Sequence, residues 1–426
     1  MSEFKEVAVG ANLKLTSGFP FASSKFSNEG FPLIRIRDIL TSQTETCFSG
    51  TFPPGYIIKK GDILIGMDGD FHVVKWRGND ALLNQRVLKV EVKNEFVITL
   101  DYLFHWLGPF IKKVNDITAA TTVKHLSVKD LAKAKAKVPD VEVQKKIAAI
   151  LTTIDNAIEK TETLIAKYQQ IKAGLMHDLF TRGVLPNGQL RPPRIQAPEL
   201  YQETAIGWIP REWKVPTLEE LLAPLPNNIR SGPFGSALLK HELVEDGIPL
   251  LGIDNVHVER FEPEFRRFVN ERKFKELAKY RVRPRDVVIT IMGTVGRCCV
   301  IPDNLELGLS SKHLWTMTFD LEKVIPELIC WQLNHSAWAK AWFRRAMQGG
   351  IMDAIQSSTL KTLHLPVPDI NEQTLIYARY VKVSAQIQQE SSLLKKLRKQ
   401  KRGLMQDLLT GKVPVQVNEL DMEVSA

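Results

Sequence analysis

The chain repeats itself, and this repeat constrains its fold more than any other feature. Residues 138–184 and 367–413 align without a gap at an offset of 229, and 17 of the 47 positions are identical. Each block opens with Val-Pro-Asp and carries a Gly-Leu-Met-x-Asp-Leu motif near its end. The preceding regions repeat less evenly, with offsets that start at 214 and grow toward 229. The sequence therefore predicts two copies of one module, each made of a variable and a constant unit.

Both constant units have the pattern of a long helix. Neither contains proline between residues 141–184 or 370–413. Asp140 and Asp369 follow prolines and can cap the two helices at their N-termini. In the second copy, Glu372 completes a predicted capping box with Asp369. At 1.5 Å per residue, about 38 helical residues give a rod of roughly 57 Å.

Apolar residues in both helices recur at alternating spacings of four and three, which is typical of a coiled-coil seam. Thr161 and Glu390 interrupt the seam in the two copies. We expect the two helices to bury their seams together as an antiparallel pair, because one such rod is not stable alone. The seam residues are Ile147, Leu151, Ile154, Ile158, Ile165, Tyr168, Ile171, Leu175 and Leu179 in the first copy and Ile376, Tyr380, Val383, Ile387, Leu394, Leu397, Leu404 and Leu408 in the second.

Two features of the helices have more than one interpretation. Gly174 and Gly403 lie inside predicted helix, where glycine costs about 1 kcal/mol relative to alanine. A close helix crossing or a partner contact would explain them, and so would fraying near the helix end. Residues 395–402 are densely basic, which fits either a solvated helix face or a contact with protein or phosphate.

The variable units combine short β-like runs with helical patches and resemble binding modules. Residues 258–285 contain ten basic and five acidic side chains, and Arg272, Lys273 and Lys275 lie on a helical patch within them. This patch is the best candidate for a phosphate contact, with a merely solvated helix as the alternative.

Residues that could read base edges need paired donors and acceptors on loops. Candidates follow the β-runs in equivalent places, and each one alone could be an ordinary surface residue. They are Lys75, Arg77, Asn84, Gln85 and Arg86 in the first copy, Arg297, Ser311, Lys312 and His313 in the second, and Ser17, Lys25 and Ser231 beside the Ser-Gly turns.

Composition favours a cytoplasmic, polyanion-binding protein over several other classes. Lys plus Arg total 57 against 48 acidic residues, giving a net charge of +9. No apolar run is long enough for a membrane span, the N-terminus lacks a signal-peptide layout, and four cysteines make no disulfide framework. Phosphate-loop, GxGxxG, amino-methyltransferase and HExxH motifs are not found, so we expect no catalytic site and no metal site.

In this layout the chain resembles the specificity subunit of type I restriction-modification systems over nearly its whole length. The resemblance rests on the Val-Pro-Asp sequences at 136–140 and 365–369, the helices entered through Gln144 and Gln373, and the Gly-Leu-Met-x-Asp-Leu ends. Residues 206–213, Ile-Gly-Trp-Ile-Pro-Arg-Glu-Trp, also match the usual opening of such a unit, which the first copy lacks.

The resemblance implies an α+β fold with two mixed α/β target-recognition domains separated by an antiparallel pair of coiled-coil-like helices, related by an internal pseudo-twofold repeat. The implied division is a first recognition domain at 1–138, a spacer helix at 139–184, a linker at 185–206, a second recognition domain at 207–367, a second spacer helix at 368–413 and a C-terminal tail at 414–426.

The resemblance also implies a non-catalytic subunit that binds a bipartite, asymmetric site on double-stranded DNA. The expected partners are two methyltransferase subunits, docked on the helices, and two restriction-translocase subunits. S-adenosylmethionine, ATP and magnesium would belong to those partners, and this chain would bind no cofactor. A methylation-only complex remains the nearest alternative. A stand-alone DNA methyltransferase or nuclease and a coiled-coil scaffold without a DNA role are the others.

Overall fold

A computed structural model describes residues 4–118, 124–292, 295–347 and 355–417. The chain forms two compact units, one made of Met1–Ile165 with Gln389–Ala426 and the other of Ala166–Gln388. Each unit therefore contains one variable region and a part of each constant block. Helices and sheets are mixed in both units, so the predicted α+β class is confirmed. The domain boundaries stay predictions, and most of the predicted tail, from residue 418 onward, lies outside the described residues.

The last part of the second long helix belongs to the first unit, together with short strands and three further helices. They are β1 (Lys5–Val7), β2 (Leu13–Ser17), β3 (Phe26–Ser27), β4 (Phe31–Ile34), β5 (Cys47–Phe48), β6 (Ile57–Ile58), β7 (Ile63–Gly66), β8 (Val73–Lys75), β9 (Ala81–Leu83), β10 (Val87–Val92), α1 (Leu100–Ile117), α2 (Val128–Ala132), β11 (Ala136–Val138) and the first part of α3 (Val141–Thr181). One sheet has the antiparallel order β2-β10-β7-β8. The other has the order β3-β5-β4-β9-β6, in which β4 and β9 run parallel.

The second unit repeats this plan and also contains the last part of α3. Its elements are β12 (Tyr201–Thr204), β13 (Gly207–Pro210), α4 (Leu218–Leu221), β14 (Ile229–Arg230), β15 (Ile248–Leu251), β16 (Val256–His257), β17 (Arg260–Phe261), β18 (Phe268–Val269), α5 (Glu271–Glu276), β19 (Val287–Thr290), β20 (Cys298–Val300), β21 (Leu309–Ser310), β22 (Leu314–Met317), α6 (Pro326–His335), α7 (Ala337–Met347), α8 (Ser357–Lys361) and the first part of α9 (Ile370–Leu409). The antiparallel order β14-β22-β19-β20 corresponds to β2-β10-β7-β8, and parallel β15 and β21 correspond to β4 and β9.

The core of the first unit lies between its antiparallel sheet, helix α1 and the spacer helices. Ile63 and Ile65 of β7 and Tyr102 of α1 are fully buried there beside Leu151 of α3 and Leu408 of α9. The Thr99 hydroxyl caps α1 by accepting a hydrogen bond from the Tyr102 amide. The variable region and both helices of this unit thus share one hydrophobic core, which fixes the region firmly on its helices.

The predicted long helices are both observed, and in each unit their segments run antiparallel. In the first unit, Arg398 of α9 lies 2.7 Å from Glu162 of α3, and Lys401 lies 2.5 Å from Asp155. In the second unit, the Lys172 ammonium lies 4.5 Å from the ring centre of Tyr380. Residue numbers rise on one helix as they fall on the other.

Burial differs from one position of the predicted seam to the next. Ile147, Leu151, Ile154 and Ile376 are buried. Thr161 does not interrupt the seam, because it is buried with its hydroxyl donating to the Ala157 carbonyl at 2.8 Å. The remaining predicted interface positions Ile158, Leu175, Tyr380, Val383, Ile387 and Leu404 are half-buried.

Two helix predictions are wrong. Ile171 is 46% exposed, and the seam position beside it belongs to Lys172, which the four-three spacing reaches from Tyr168. Gly174 and Gly403 do not mark a close helix crossing within the described residues, because a Cβ atom added at either would meet no atom within 4 Å. A contact with a partner and fraying near the helix end both remain as interpretations of these two glycines.

Candidate nucleic-acid interface

In the first unit, the Ser17-Gly18 turn packs on the loop that follows β9. The Gly18 amide donates to the Val87 carbonyl at 2.9 Å, and the Gln85 amide donates to the Phe19 carbonyl at 3.0 Å. A Cβ atom on Gly18 would lie 1.9 Å from the Asn84 carbonyl oxygen, so only glycine fits this contact. The structure therefore brings Ser17 together with the predicted candidates that follow β9.

The second unit assembles the equivalent residues in the same way. The Gly232 amide donates to the Ser311 carbonyl at 3.1 Å, and a Cβ atom on Gly232 would lie 2.1 Å from the Ser310 carbonyl oxygen. Ser231 thus meets the segment of Ser311, Lys312 and His313. In both units the assembly sits where the parallel strand pair ends, since Leu83 and Ser310 are the last residues of β9 and β21.

Members of these assemblies differ in what they present to solvent. Asn84, Ser231 and Ser311 are buried, with exposed fractions of 6%, 6% and 5%. The hydroxyls of Ser231 and Ser311 have no hydrogen-bond partner among the described residues. In contrast, Gln85, Arg86 and Lys312 are exposed. The buried members shape the surface, while the exposed members can contact a ligand.

A basic cavity opens beside the second assembly. Its volume is about 240 Å³. Its lining combines several leucines with the polar residues Lys240, Arg267, Ser311, Lys312 and His313. Burial lowers the pKa of His313, and the neighbouring charges of Lys312 and Arg267 lower it further. The imidazole is therefore neutral near pH 7 and can both donate and accept a hydrogen bond.

Sequence reasoning missed Lys240 and Arg267. Arg267 lies in the basic stretch 258–285, but only the pairing of β15 with β21 and β18 shows that it reaches the cavity. Its guanidinium also lies 3.4 Å from Asp254, which holds it in place. No signal in the sequence distinguishes Lys240 from other exposed lysines.

Arg86 and Lys25 are two further cationic candidates in the first unit. Arg86 has a positive φ of 72° and lies 3.5 Å from Asp68, which also contacts His125 at 2.6 Å. Lys25 is exposed next to Phe48, at the edge of an aromatic cluster. Both side chains remain candidates for phosphate contacts.

The other candidates lie apart from these assemblies. Lys75 pairs with Asp101 of α1, and Arg77 pairs with Glu159 of α3, so both face acidic helix residues. Arg297 lies in the turn before β20, where its amide donates to Thr290 at 3.1 Å.

The basic patch on α5 is only partly available. Lys273 is held 2.8 Å from Glu242, and the Glu242 hydrogen bond raises its pKa. Arg272 is fully open to solvent beside Glu276, and Lys275 is exposed. Arg272 and Lys275 can still contact phosphate, whereas Lys273 is already neutralised.

Comparison with known proteins finds similarity to one class of protein. Residues 1–170 match the family model of the type I restriction modification DNA specificity domain. The chain is 26% identical over 375 residues to the specificity subunit of the type I restriction enzyme EcoBI of Escherichia coli, covering 88% of this chain and 77% of that protein. It is 25% identical over 415 residues to the MjaVIII specificity subunit of Methanocaldococcus jannaschii, covering 96% and 90%. These comparisons support a specificity subunit of a type I restriction-modification system.

The fold of this specificity subunit agrees with that assignment. It is similar to the crystal structure of the type I restriction-modification S subunit from M. genitalium, with a TM-score of 0.62 and 14% identity over 98% of this chain and 97% of that one. At that identity the likeness concerns the fold alone.

A buried glutamine joins each variable region of the specificity subunit to its spacer helix. In the first unit, the Gln144 Oε1 atom accepts from the Thr99 amide at 2.9 Å, and its Nε2 group donates to the carbonyls of Val97 and Pro139 at 2.9 Å. Gln144 is fully buried. The bonds to Thr99 and Val97 tie the start of α3 to the segment before α1, and the bond to Pro139 fixes the entry into α3.

The second unit has the same clamp at the equivalent position. The Gln373 Oε1 atom accepts from the Ile325 amide at 2.9 Å, and Nε2 donates to the carbonyls of Lys323 and Pro368 at 2.8 and 3.0 Å. Gln144 and Gln373 were among the residues on which the family resemblance rested. Their equivalent hydrogen bonds explain why glutamine occurs at both positions.

A second anchor of this specificity subunit centres on Glu259, in the turn between β16 and β17. Lys172 and Tyr380 each donate to its Oε2 atom at 2.6 Å, and His335 Nε2 lies 2.5 Å from Oε1. Burial raises the pKa of Glu259, but the hydrogen bonds from His335, Lys172 and Tyr380 outweigh burial and lower it to about 2. The charged carboxylate thus connects the variable region to both spacer helices.

The predicted linker is anchored rather than lying loosely on the surface. Arg191 is 3% exposed and forms a buried ion pair with Glu372, whose carboxylate also accepts from the Val184 amide at 2.6 Å and from Trp213 Nε1 at 3.1 Å. The predicted capping box is therefore wrong, because the Glu372 side chain serves this network. Asp369 does cap α9, accepting from the Glu372 amide at 3.2 Å.

Within the described part of the chain, no group of three or more His, Cys, Asp or Glu residues could hold a metal ion. The same residues include no helix with the length and apolar character needed to cross a membrane.

Proposed function

We propose that this specificity subunit binds double-stranded DNA through the two assemblies around Gly18 and Gly232, each contacting one half of a bipartite, asymmetric site. The observation that carries the proposal is their equivalence. A backbone contact that only glycine permits supports a different set of polar side chains in each unit. Reading two different half-sites requires a constant backbone frame that carries different side chains.

The basic cavity supports DNA as the ligand. Lys240, Arg267 and Lys312 supply three cations, while neutral His313 supplies a hydrogen-bonding group. Cations contact phosphates without regard to sequence, whereas the imidazole and exposed amide groups can discriminate base edges. The family relatives are likewise named specificity subunits of restriction enzymes.

In this proposal the spacer helices set the distance between the half-sites and carry two methyltransferase subunits, with two restriction-translocase subunits completing the complex. A helix of 41 residues is about 60 Å long, more than one turn of B-DNA. The chain itself would catalyse nothing, and S-adenosylmethionine, ATP and magnesium would act in the partners. A methylation-only complex differs from this proposal only in the other chains.

The decisive experiment is methylome sequencing of a host that expresses this chain with its methyltransferase. Replacing residues 1–138 with another recognition domain should change one half of the methylated motif. A change in both halves would contradict the modular arrangement. Removing one heptad from each spacer helix should shorten the gap by about three base pairs, because seven residues span about 10 Å. Methyl transfer or cleavage by the purified chain alone would contradict its non-catalytic role.

A further inference from the structure

The basic segment at 395–402 of α9 has no role in the assemblies described above. Its side chains divide between two faces of the helix. Leu397 and Lys401 follow the seam and are half-buried, and Arg398 is paired with Glu162. The remaining cations, Lys395, Lys396, Lys399 and Arg402, are exposed on the other face, and we call them the α9 stripe.

The α9 stripe has no internal counter-charge. No ion pair forms at any of its four members within the described ranges, and no acidic residue lies three or four positions from them along the helix. Lys395 and Lys399 are instead like charges at i and i+4, which destabilise a helix by about 0.2–0.5 kcal/mol per pair. The helix tolerates self-repulsion here, which suggests an anionic ligand outside the chain.

The repeat shows that this charge is not needed for the helix pair. At the offset of 229, Lys395, Lys399 and Arg402 correspond to Ala166, Gln170 and Ala173 of α3. The seam residue Lys401 corresponds to Lys172, which is also a lysine. The two blocks thus keep a seam cation in common, and Lys396 corresponds to the exposed Lys167, but the other three exposed cations occur only in the second copy.

From these observations we propose that the α9 stripe binds the phosphate backbone of the DNA that separates the two half-sites, an inference that rests on the proposed function. Three of its four members are lysines, which are depleted in protein interfaces but bind phosphates as point charges. From Lys395 to Arg402 the helix rises about 10 Å, which matches the axial rise of about three phosphates of one strand. The contact would add affinity without sequence preference.

The test converts the stripe of the second block into the residues that the first block already carries. The triple variant Lys395→Ala, Lys399→Gln and Arg402→Ala is compared with wild type, each as the full chain assembled with its methyltransferase. The control removes three exposed cations elsewhere on the same helices, through Lys160→Gln, Lys167→Gln and Lys382→Gln. Both variants lose the same net charge, so a difference between them reports contact rather than the long-range field.

DNA affinity is measured against salt concentration. Each phosphate contact contributes about 0.9 to the slope of log affinity against log salt. Loss of three contacts should reduce the slope by about 2.7, so that raising salt fourfold weakens the variant about 40-fold less than wild type. The methylated motif and its gap should not change, because phosphate contacts carry no base information. The control should keep the wild-type slope.

Three results would overturn the inference. An unchanged slope together with loss of methyltransferase binding would make the stripe a protein-docking surface. An unchanged slope with intact assembly would make it a solvated face. Equal slope changes in both variants would attribute the effect to net charge. Failure of the proposed function has a different signature, since the wild-type complex itself would then show no sequence-dependent binding.

Discussion

The substitution Gln373→Leu tests whether the buried glutamine holds the second variable region on its spacer helix. The substitution removes three hydrogen bonds and introduces an apolar side chain of similar size. At about 1 kcal/mol for each bond, the local stability of this junction should fall by about 3 kcal/mol. The Ile325 amide, which donates to Gln373 in the native protein, should report the loss directly.

Hydrogen exchange measured by NMR or fragment mass spectrometry gives the required local readout, because a chain of two units has no single unfolding free energy. A loss of about 3 kcal/mol corresponds to roughly 150-fold faster exchange at Ile325, where opening is in rapid equilibrium. Gln386→Leu, at an exposed position of the same helix, is the matched control and should leave exchange unchanged.

The repeat supplies the reciprocal experiment. Gln144→Leu should accelerate exchange at the Thr99 amide and leave Ile325 protected, because its three bonds lie in the other unit. Continued protection of Ile325 in Gln373→Leu, or the same acceleration in Gln386→Leu, would refute the clamp.

Three further substitutions test other parts of the molecule. Because the pKa of Glu259 is lowered to about 2, its ionisation should contribute about 3 kcal/mol above pH 4.5 and lose that contribution as pH falls toward 2; acid titration of Glu259→Gln should lack this step. Gly18→Ala should destabilise the first assembly and weaken binding of one half-site in a gel-shift assay, since its Cβ would meet a backbone oxygen at 1.9 Å. Arg191→Leu should lower the urea midpoint of the second unit by the equivalent of about 3–5 kcal/mol, because it leaves the buried Glu372 carboxylate unpaired.

The helices and the modular repeat could be predicted because each depends on local periodicity. The seam was predicted from spacing, and its one misassigned residue, Ile171, shows the limit of that method. An apolar residue one position out of phase looks like a seam residue in sequence, but the fixed helical period places Lys172 there instead. Hydrophobicity alone favoured Ile171, whereas the helical period places Lys172 at the seam.

The assemblies and anchors depend on long-range pairing, which periodicity does not encode. Glu372 has the right spacing for a capping box, yet its carboxylate bonds Arg191, which lies 181 residues earlier. Likewise, the candidates beside Gly18 were named in sequence, but only strand pairing places them against that turn. Lys240 carried no signal at all, because an exposed lysine becomes part of a site only through its neighbours.

The contacts that occur in both units hold the frame together, whereas the side chains that differ between the units are the ones that the frame presents. Gln144 and Gln373 make equivalent bonds, and Gly18 and Gly232 each lie so close to a backbone carbonyl that a Cβ atom would clash, so the frame tolerates little change at these positions. The side chains that the frame presents are free of this constraint, which is why Gln85 and Lys312 can differ in size and charge at equivalent places. The side chains of a recognition surface can therefore change without changing the stability of the junction between the variable region and the spacer helix. A surface residue moved between the two units at equivalent positions should therefore alter DNA preference without altering exchange at Thr99 or Ile325.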